Sequence, residues 1–288
     1  MIDRKVLGGV VSLLIIASAG VTAFIFLGNF TAISTNNKIG VAVTIPVQSE
    51  IVKMVGGDRV EVTVLVPPGA DPHSYEPTPS QLTELSEAQL YYFVGSGLEF
   101  ELAWWDQILS VNPSIILVNA SEGVDVIGDD PHIWGSPINV MIMAENFYEA
   151  LAKIDPDNKN QYKINRDGYL DALGFLDAHI RSSFENFTNR HFLVFHPAFG
   201  YLAKDYNLTQ ISIEEEGKAV TPQMIQWAVD NATLYNLSKV FVSPQSDSSY
   251  AQTIAEQIGG QLVSVDPLAE NYFIGMLRMV SELVGEFE

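Results

Sequence analysis

The chain has 288 residues, 47% of them hydrophobic, so it can bury a core larger than that of one small domain. It carries 15 basic against 35 acidic residues, a formal net charge of −20, which excludes the basic surface that nucleic-acid binding requires. The absence of cysteine excludes disulfides, thiolate metal sites, cysteine nucleophiles and a lipid-modified N-terminal cysteine.

The N-terminus sets the topology. Arg4 and Lys5 precede an almost uncharged stretch over residues 6–30. Its apolar core, residues 6–27, exceeds the roughly 20 residues that span a bilayer, and the preceding positive charges favour a cytoplasmic start. Ala17-Ser18-Ala19 also resembles a signal-peptide cleavage site. Residues 1–30 therefore read as a membrane anchor or a signal segment, and either reading exports the remainder. Sequons at Asn29, Asn119, Asn186, Asn207, Asn231 and Asn236 agree with export wherever a glycosylation system exists. Residues 31–37 read as a polar tether.

From Lys38 onward, strands alternate with helices. Residues 39–45 are β-branched and alternating, 47–55 suit a short helix closed by Gly56-Gly57, and 60–66 form a second strand before Pro67-Pro68-Gly69. Thr78-Pro79 opens a helix to Ala88, residues 90–94 are a strand, 100–109 a helix and 115–118 a fourth strand. This alternation predicts a parallel sheet of βαβ units over 38–154. Over 155–189, Tyr169, Leu173, Leu176, Ile180, Phe184 and Phe187 recur at three- and four-residue steps and predict one long linking helix. A second set follows over 190–288: strands at 192–195, 210–213, 239–242 and 262–265, with helices at 221–234, 250–258 and 272–287. The fold class is thus α/β, with two lobes, each a mostly parallel sheet flanked by helices, joined by one long helix.

Five histidines occur, and three share a context. His73 follows a strand in Pro-Pro-Gly-Ala-Asp-Pro-His. His132 lies in a loop in Asp-Asp-Pro-His-Ile-Trp, and His196 follows a strand in Phe-His-Pro. Asp266 in Val-Asp-Pro also directly follows a strand. Open parallel sheets bind ligands beyond the carboxyl ends of their strands, and the neighbouring prolines stiffen each position. Three imidazoles plus one carboxylate make a plausible tetrahedral zinc set. His179 falls off the apolar stripe, and His191 starts a strand with the opposite alternation to His196, so neither joins the set. No phosphate-binding glycine loop and no Gly-x-Ser-x-Gly elbow is present. Glu214-Glu215-Glu216 reads as a solvated loop or lid, and Trp104-Trp105 as packing.

Taken together, the stretches Pro-Pro-Gly-Ala-Asp-Pro-His73-Ser-Tyr-Glu-Pro-Thr-Pro-Ser, Asp-Pro-His132-Ile-Trp, Phe-His196-Pro-Ala-Phe-Gly-Tyr, Val-Ser-Pro-Gln245 and Val-Asp266-Pro-Leu resemble the zinc and manganese group of metal-specific substrate-binding proteins of ABC importers. The resemblance covers residues 38–288. It implies two α/β lobes bridged by a rigid helix, a metal in the cleft, His73 and His132 from the first lobe, and His196 and Asp266 from the second. It further implies a non-catalytic monomer that delivers its ion to a membrane permease. Histidine at position 196 favours zinc, because harder donors suit manganese. Two features depart from the group: residues 122–130 form a short segment without histidine, where many zinc members carry a long His-rich loop, and no cysteine is present for a lipid anchor. A manganese or iron binder, a secreted zinc hydrolase with Asp266 as base, and an adhesion scaffold are the alternatives.

Overall fold

A computed structural model describes residues 38–214, 220–246 and 249–287. The expected anchor and tether over 1–37 lie outside the described residues. Among the described residues, no helix is long and apolar enough to cross a membrane.

The first sheet consists of β1 (Ile39–Val43), β2 (Val60–Val64), β3 (Leu90–Phe93) and β4 (Ile116–Asn119), ordered β2-β1-β3-β4 and parallel throughout. Around it pack α1 (Pro46–Gly56), α2 (Pro79–Glu87), α3 (Glu99–Val111) and α4 (Pro137–Ile154). The second sheet repeats this plan. Strands β5 (His191–Val194), β6 (Thr209–Ser212), β7 (Lys239–Val242) and β8 (Gln261–Ser264) run in the order β6-β5-β7-β8, also all parallel. Its helices are α6 (Gly200–Asp205), α7 (Pro222–Leu234), α8 (Ser249–Gln257) and α9 (Tyr272–Phe287). Between the sheets runs α5 (Lys159–Phe184), whose 26 residues span about 39 Å at helical rise. In each sheet the chain turns from one side of the first strand to the other, at β1/β3 and at β5/β7. Such switch points open crevices at the carboxyl ends of strands.

Local chemistry explains the boundaries. Strand β1 stops at Val43, shorter than expected, because the Gln48 side chain takes over the next two amides. Its Oε1 accepts from the Thr44 and Ile45 backbone N–H groups at 3.0 and 3.1 Å, and its Nε2 donates to the Tyr92 carbonyl at 2.8 Å. Pro46 then begins α1, and Gly57, at φ +56°, ends it. Thr78 caps α2 and its Gln81 reaches back to the Thr78 amide at 2.9 Å.

Two helices escaped the sequence reading. Helix α4 fills residues 137–154, started by the Ser136 side chain and Pro137. The six-residue α6 is too short for its period to show. The linking helix is narrower than 155–189: residues 156–158 form a 3-10 turn and the α-helix ends at Phe184. Its buried stripe is Tyr162, Tyr169, Leu173, Leu176, Ile180 and Phe184; the period predicts the last five, Tyr162 is added two turns earlier, and Phe187 lies beyond the helix end.

One apolar core runs from the first sheet through α5 to Phe192, Val194 and α9. Polar ties cross between the lobes. The Glu50 carboxylate on α1 accepts from the Tyr272 backbone N–H at the start of α9 at 2.8 Å and from the Tyr169 hydroxyl on α5 at 3.1 Å. Trp134 Nε1 donates to the Pro267 carbonyl at 2.9 Å. Burial raises the Glu50 carboxyl above its usual range, opposed by these two hydrogen bonds.

Helix α5 passes through Gly168 and Gly174, and a Cβ at Gly174 would meet nothing within 4 Å. Gly174→Ala should therefore raise unfolding stability by about 0.5–1 kcal/mol, by removing backbone entropy from the unfolded chain. Urea titration of residues 38–288 measures this; an unchanged or lowered midpoint contradicts an unstrained helix there.

Candidate metal centre

His73, His132 and His196 converge although they come from three separate loops. One ring nitrogen of each lies within 4.8 Å of the others. The ring centroids are 4.8–5.6 Å apart. His132 Nε2 stands 3.1 Å from His196 Nε2. His132 is buried, at 2% exposure, and the other two rings are half-buried at the edge of a cavity of about 510 Å³.

The Asp-Pro-His sequence builds two of these corners in the same way. In the first, the Asp71 carboxylate accepts the His73 backbone N–H at 3.0 Å and the Ser74 hydroxyl at 2.9 Å. In the second, Asp130 accepts the His132 backbone N–H at 2.9 Å. Each aspartate closes a turn over its own proline, so the histidine leaves the loop in a set direction. His196 directly follows β5 by two residues, where Phe195 is still paired through its N–H to the Phe241 carbonyl at 2.8 Å.

Every ring is oriented by a carboxylate on its far nitrogen. His73 Nδ1 lies 2.7 Å from Glu99 Oε2, His132 Nδ1 2.8 Å from Asp130 Oδ1, and His196 Nδ1 2.5 Å from Glu214 Oε1. An Nδ1–H that donates to a carboxylate leaves the Nε2 lone pair facing inward and makes it more basic. Facing lone pairs repel, so the arrangement suits a cation that they share. Burial lowers the His132 pKa, helped by the nearby His196 and opposed by Asp130, which keeps that ring neutral and ready to donate.

Glu101 supports this layer from below. It is fully buried, and its carboxylate accepts the Val94 and Gly95 backbone N–H groups at 2.6 and 2.9 Å and the Thr44 hydroxyl at 2.5 Å. Burial raises its pKa, opposed by these bonds. The loop it holds presents Glu99 to His73, and its Ser96 hydroxyl donates to the Pro131 carbonyl beside His132 at 2.5 Å. Gly95 in that loop has φ +78°, and a Cβ there would come 1.9 Å from Asn119 Oδ1. Only glycine meets both conditions.

Asp266 stands outside the histidine group. Its Oδ1 accepts the Leu268 backbone N–H and Gln245 Nε2, both at 2.9 Å. Its neighbours Pro267 and Leu268 line the same cavity as the three histidines. His179 is exposed on α5, and His191 stacks on Tyr235 at 3.7 Å, so the structure brings neither to the cavity. Trp105 packs edge-on against Phe93 at 5.0 Å, a packing role as expected.

Sequence reasoning missed Glu99, Asp130 and Glu101 as supports. Asp130 was legible in the repeated Asp-Pro-His, and Glu99 in its place at the first turn of a helix after Gly95-Ser96-Gly97. Glu214, expected in a solvated loop or lid, turns its carboxylate toward His196.

Relatives of known sequence and solved structures match most of the chain, and the solved structures agree with the fold. The chain is 30% identical over 270 residues to the metal ABC transporter substrate-binding lipoprotein SsaB of Streptococcus sanguinis, covering 86% of this chain and 85% of that protein. It is 31% identical over 245 residues to the manganese ABC transporter substrate-binding lipoprotein PsaA of Streptococcus mitis, covering 77% and 78%. A solved structure of a ZnuA deletion mutant with zinc bound superposes with a TM-score of 0.83 at 35% identity, covering 88% of this chain and 99% of that one. The model of the family described as zinc-uptake complex component A, periplasmic (ZnuA) matches residues 41–285, and the chain belongs to this family.

Proposed function

We propose that this protein is the extracytoplasmic capture component of an ABC-type importer: it takes up a divalent transition metal, zinc in preference, and hands it to a membrane permease. The observation that carries this reading is the convergence of His73, His132 and His196 on one point, with a carboxylate behind each ring. The metal is cargo here, not a resident catalyst.

The three imidazoles supply nitrogen donors, and Asp266 supplies the fourth donor from the second lobe by exchanging its Gln245 contact for the ion. Three neutral nitrogens and one carboxylate suit zinc, whose sites are tetrahedral and accept such mixtures. Glu99, Asp130 and Glu214 lie one bond further out and offset the ion's charge without touching it. Manganese or iron is the second reading, since SsaB and PsaA are named as metal and manganese binding components. A hydrolase needs an open coordination position and a free base, and a fourth protein donor removes the first. The names of the relatives lend hydrolysis no support.

For the whole chain, residues 1–30 serve as anchor or signal, 31–37 as tether, 38–154 and 190–288 as the two lobes, and 155–189 as the link. The protein works as a monomer tethered to the outer face of the cell membrane by its N-terminal segment, or free after cleavage.

Purified without added metal, residues 38–288 should hold one zinc per chain by mass spectrometry. His196→Ala should lower zinc affinity by at least about 100-fold with the circular dichroism spectrum unchanged. Unchanged affinity in that variant removes the proposed site. Competition at buffered free metal should rank zinc above manganese; the reverse order would install the second reading.

Glu214→Gln keeps the shape beside His196 and removes the charge, and should cost about 10- to 100-fold in affinity. Protons compete with the metal for imidazole, so affinity should fall on acidification. Burial holds His132 below the ordinary histidine value of about 6.5, so its share of the loss should appear only below that pH. Calorimetric titration across pH 5–8 checks both, and a pH-independent affinity contradicts imidazole ligation.

A further inference from the structure

We infer that Asn186, Asn207 and Asn236 are N-glycosylated and form a sugar-bearing face at the base of the second lobe, on the side away from the metal cleft. The inference rests on the exported location proposed above and is independent of the metal site.

Placement is the first argument. Asn186 lies five residues before His191 at the start of β5, Asn207 two before Thr209 at the start of β6, and Asn236 three before Lys239 at the start of β7. These strands are parallel, so all three sequons lie at their amino ends. His196 and Glu214 follow the carboxyl ends of β5 and β6. Four-residue strands separate the two ends by about 13 Å. A glycan at the base would leave the cleft open.

Side-chain arrangement is the second argument. In each Asn-x-Ser/Thr triplet the asparagine and the hydroxyl residue are exposed: Asn186 with Thr188, Asn207 with Thr209, and Asn236 with Ser238. The middle residue turns inward. Leu208 and Leu237 are buried, and the half-buried Phe187 packs on Phe287 with ring centroids 5.7 Å apart. The acceptor amide thus faces solvent while its neighbour anchors the segment.

The other sequons lack this arrangement. Asn119 Oδ1 accepts from both the amide and the hydroxyl of Ser121 at 2.9 Å, and Ser121 is buried. Asn231 lies inside α7 with its Nδ2 donating to the Trp227 carbonyl at 2.8 Å. Asn29 is outside the described residues.

Local folding accounts for only part of the pattern. Asn207 and Asn236 have φ of +54° and +53°, where asparagine is the best tolerated residue after glycine. The equivalent turn before β8 uses Gly259, at φ +65°. Ser238 also bonds to Glu286, at 2.8 Å from its hydroxyl. Left-handed geometry does not explain Asn186, whose φ is not positive, nor the exposed Thr188 and Thr209.

The reaction requires a polyprenyl-phosphate-linked oligosaccharide as donor. The asparagine amide nitrogen bonds to the anomeric carbon, the carbon–oxygen bond to phosphate breaks, the polyprenyl phosphate leaves, and one amide proton is released. No redox change occurs.

Mass spectrometry of peptides from the full chain, purified from its own cells, tests this. Sugar mass on two or all three of Asn186, Asn207 and Asn236, with Asn119 and Asn231 bare, is the expected result. Bare asparagine at two or all three, or sugar on Asn119 or Asn231, overturns it. Thr188→Ala and Thr209→Ala should each remove one glycan from the intact mass while leaving the asparagine turns and zinc affinity unchanged. A bare chain that still binds zinc tightly would sink this inference and leave the capture reading intact.

Discussion

Three imidazole rings from three loops have to reach one point with their Nε2 atoms turned toward each other, and a carboxylate on the far nitrogen of each ring secures that orientation. A free imidazole exchanges tautomers and rotates, so convergence of side chains alone would not give convergent lone pairs. The bonds from Glu99, Asp130 and Glu214 remove both freedoms. Those carboxylates in turn need their own backbones held, which the buried Glu101 does for the loop that ends in Glu99. The site is therefore built outward in layers, and each layer has less freedom than a surface side chain would.

The layers belong to different lobes, so the lobes have to be registered to a fraction of an ångström. The shared apolar core along α5 supplies most of the cohesion, because it is non-directional and large. Directional ties then set the register. Trp134, two residues from His132, bonds to Pro267, next to Asp266. Glu50 joins α1, the linking helix and the start of α9, where a carboxylate also meets the positive end of a helix. A histidine cluster shared between lobes is as rigid as these contacts.

Much of this was legible in the chain. Alternation of strand and helix signals, with proline and threonine at helix starts, predicted both parallel sheets, because those signals act over a few residues. The stripe on the linking helix was visible at its proper period, the Asp-Pro-His contexts marked His73 and His132 as candidates, and the strand-end Phe-His-Pro context marked His196. Helix α4 carries a local start signal at Ser136-Pro137. What was not legible were the partners of the rings. Glu99 is 26 residues from His73 and Glu214 is 18 from His196, and no local pattern connects them. The strand-end context marks Asp266, and its bond to Gln245 depends on the packing of two separate turns.

The sequence by itself determined the elements, the parallel sheets, the absence of thiolate ligands and the pool of nitrogen donors, since these follow from residue type and short-range spacing. Tertiary structure alone decided which nitrogen of each histidine faces inward, which acid serves which ring, and how the two lobes meet. Those are relations between residues far apart in the chain, and they exist only once the core has closed and the cost of burying each polar group has been met by a specific partner.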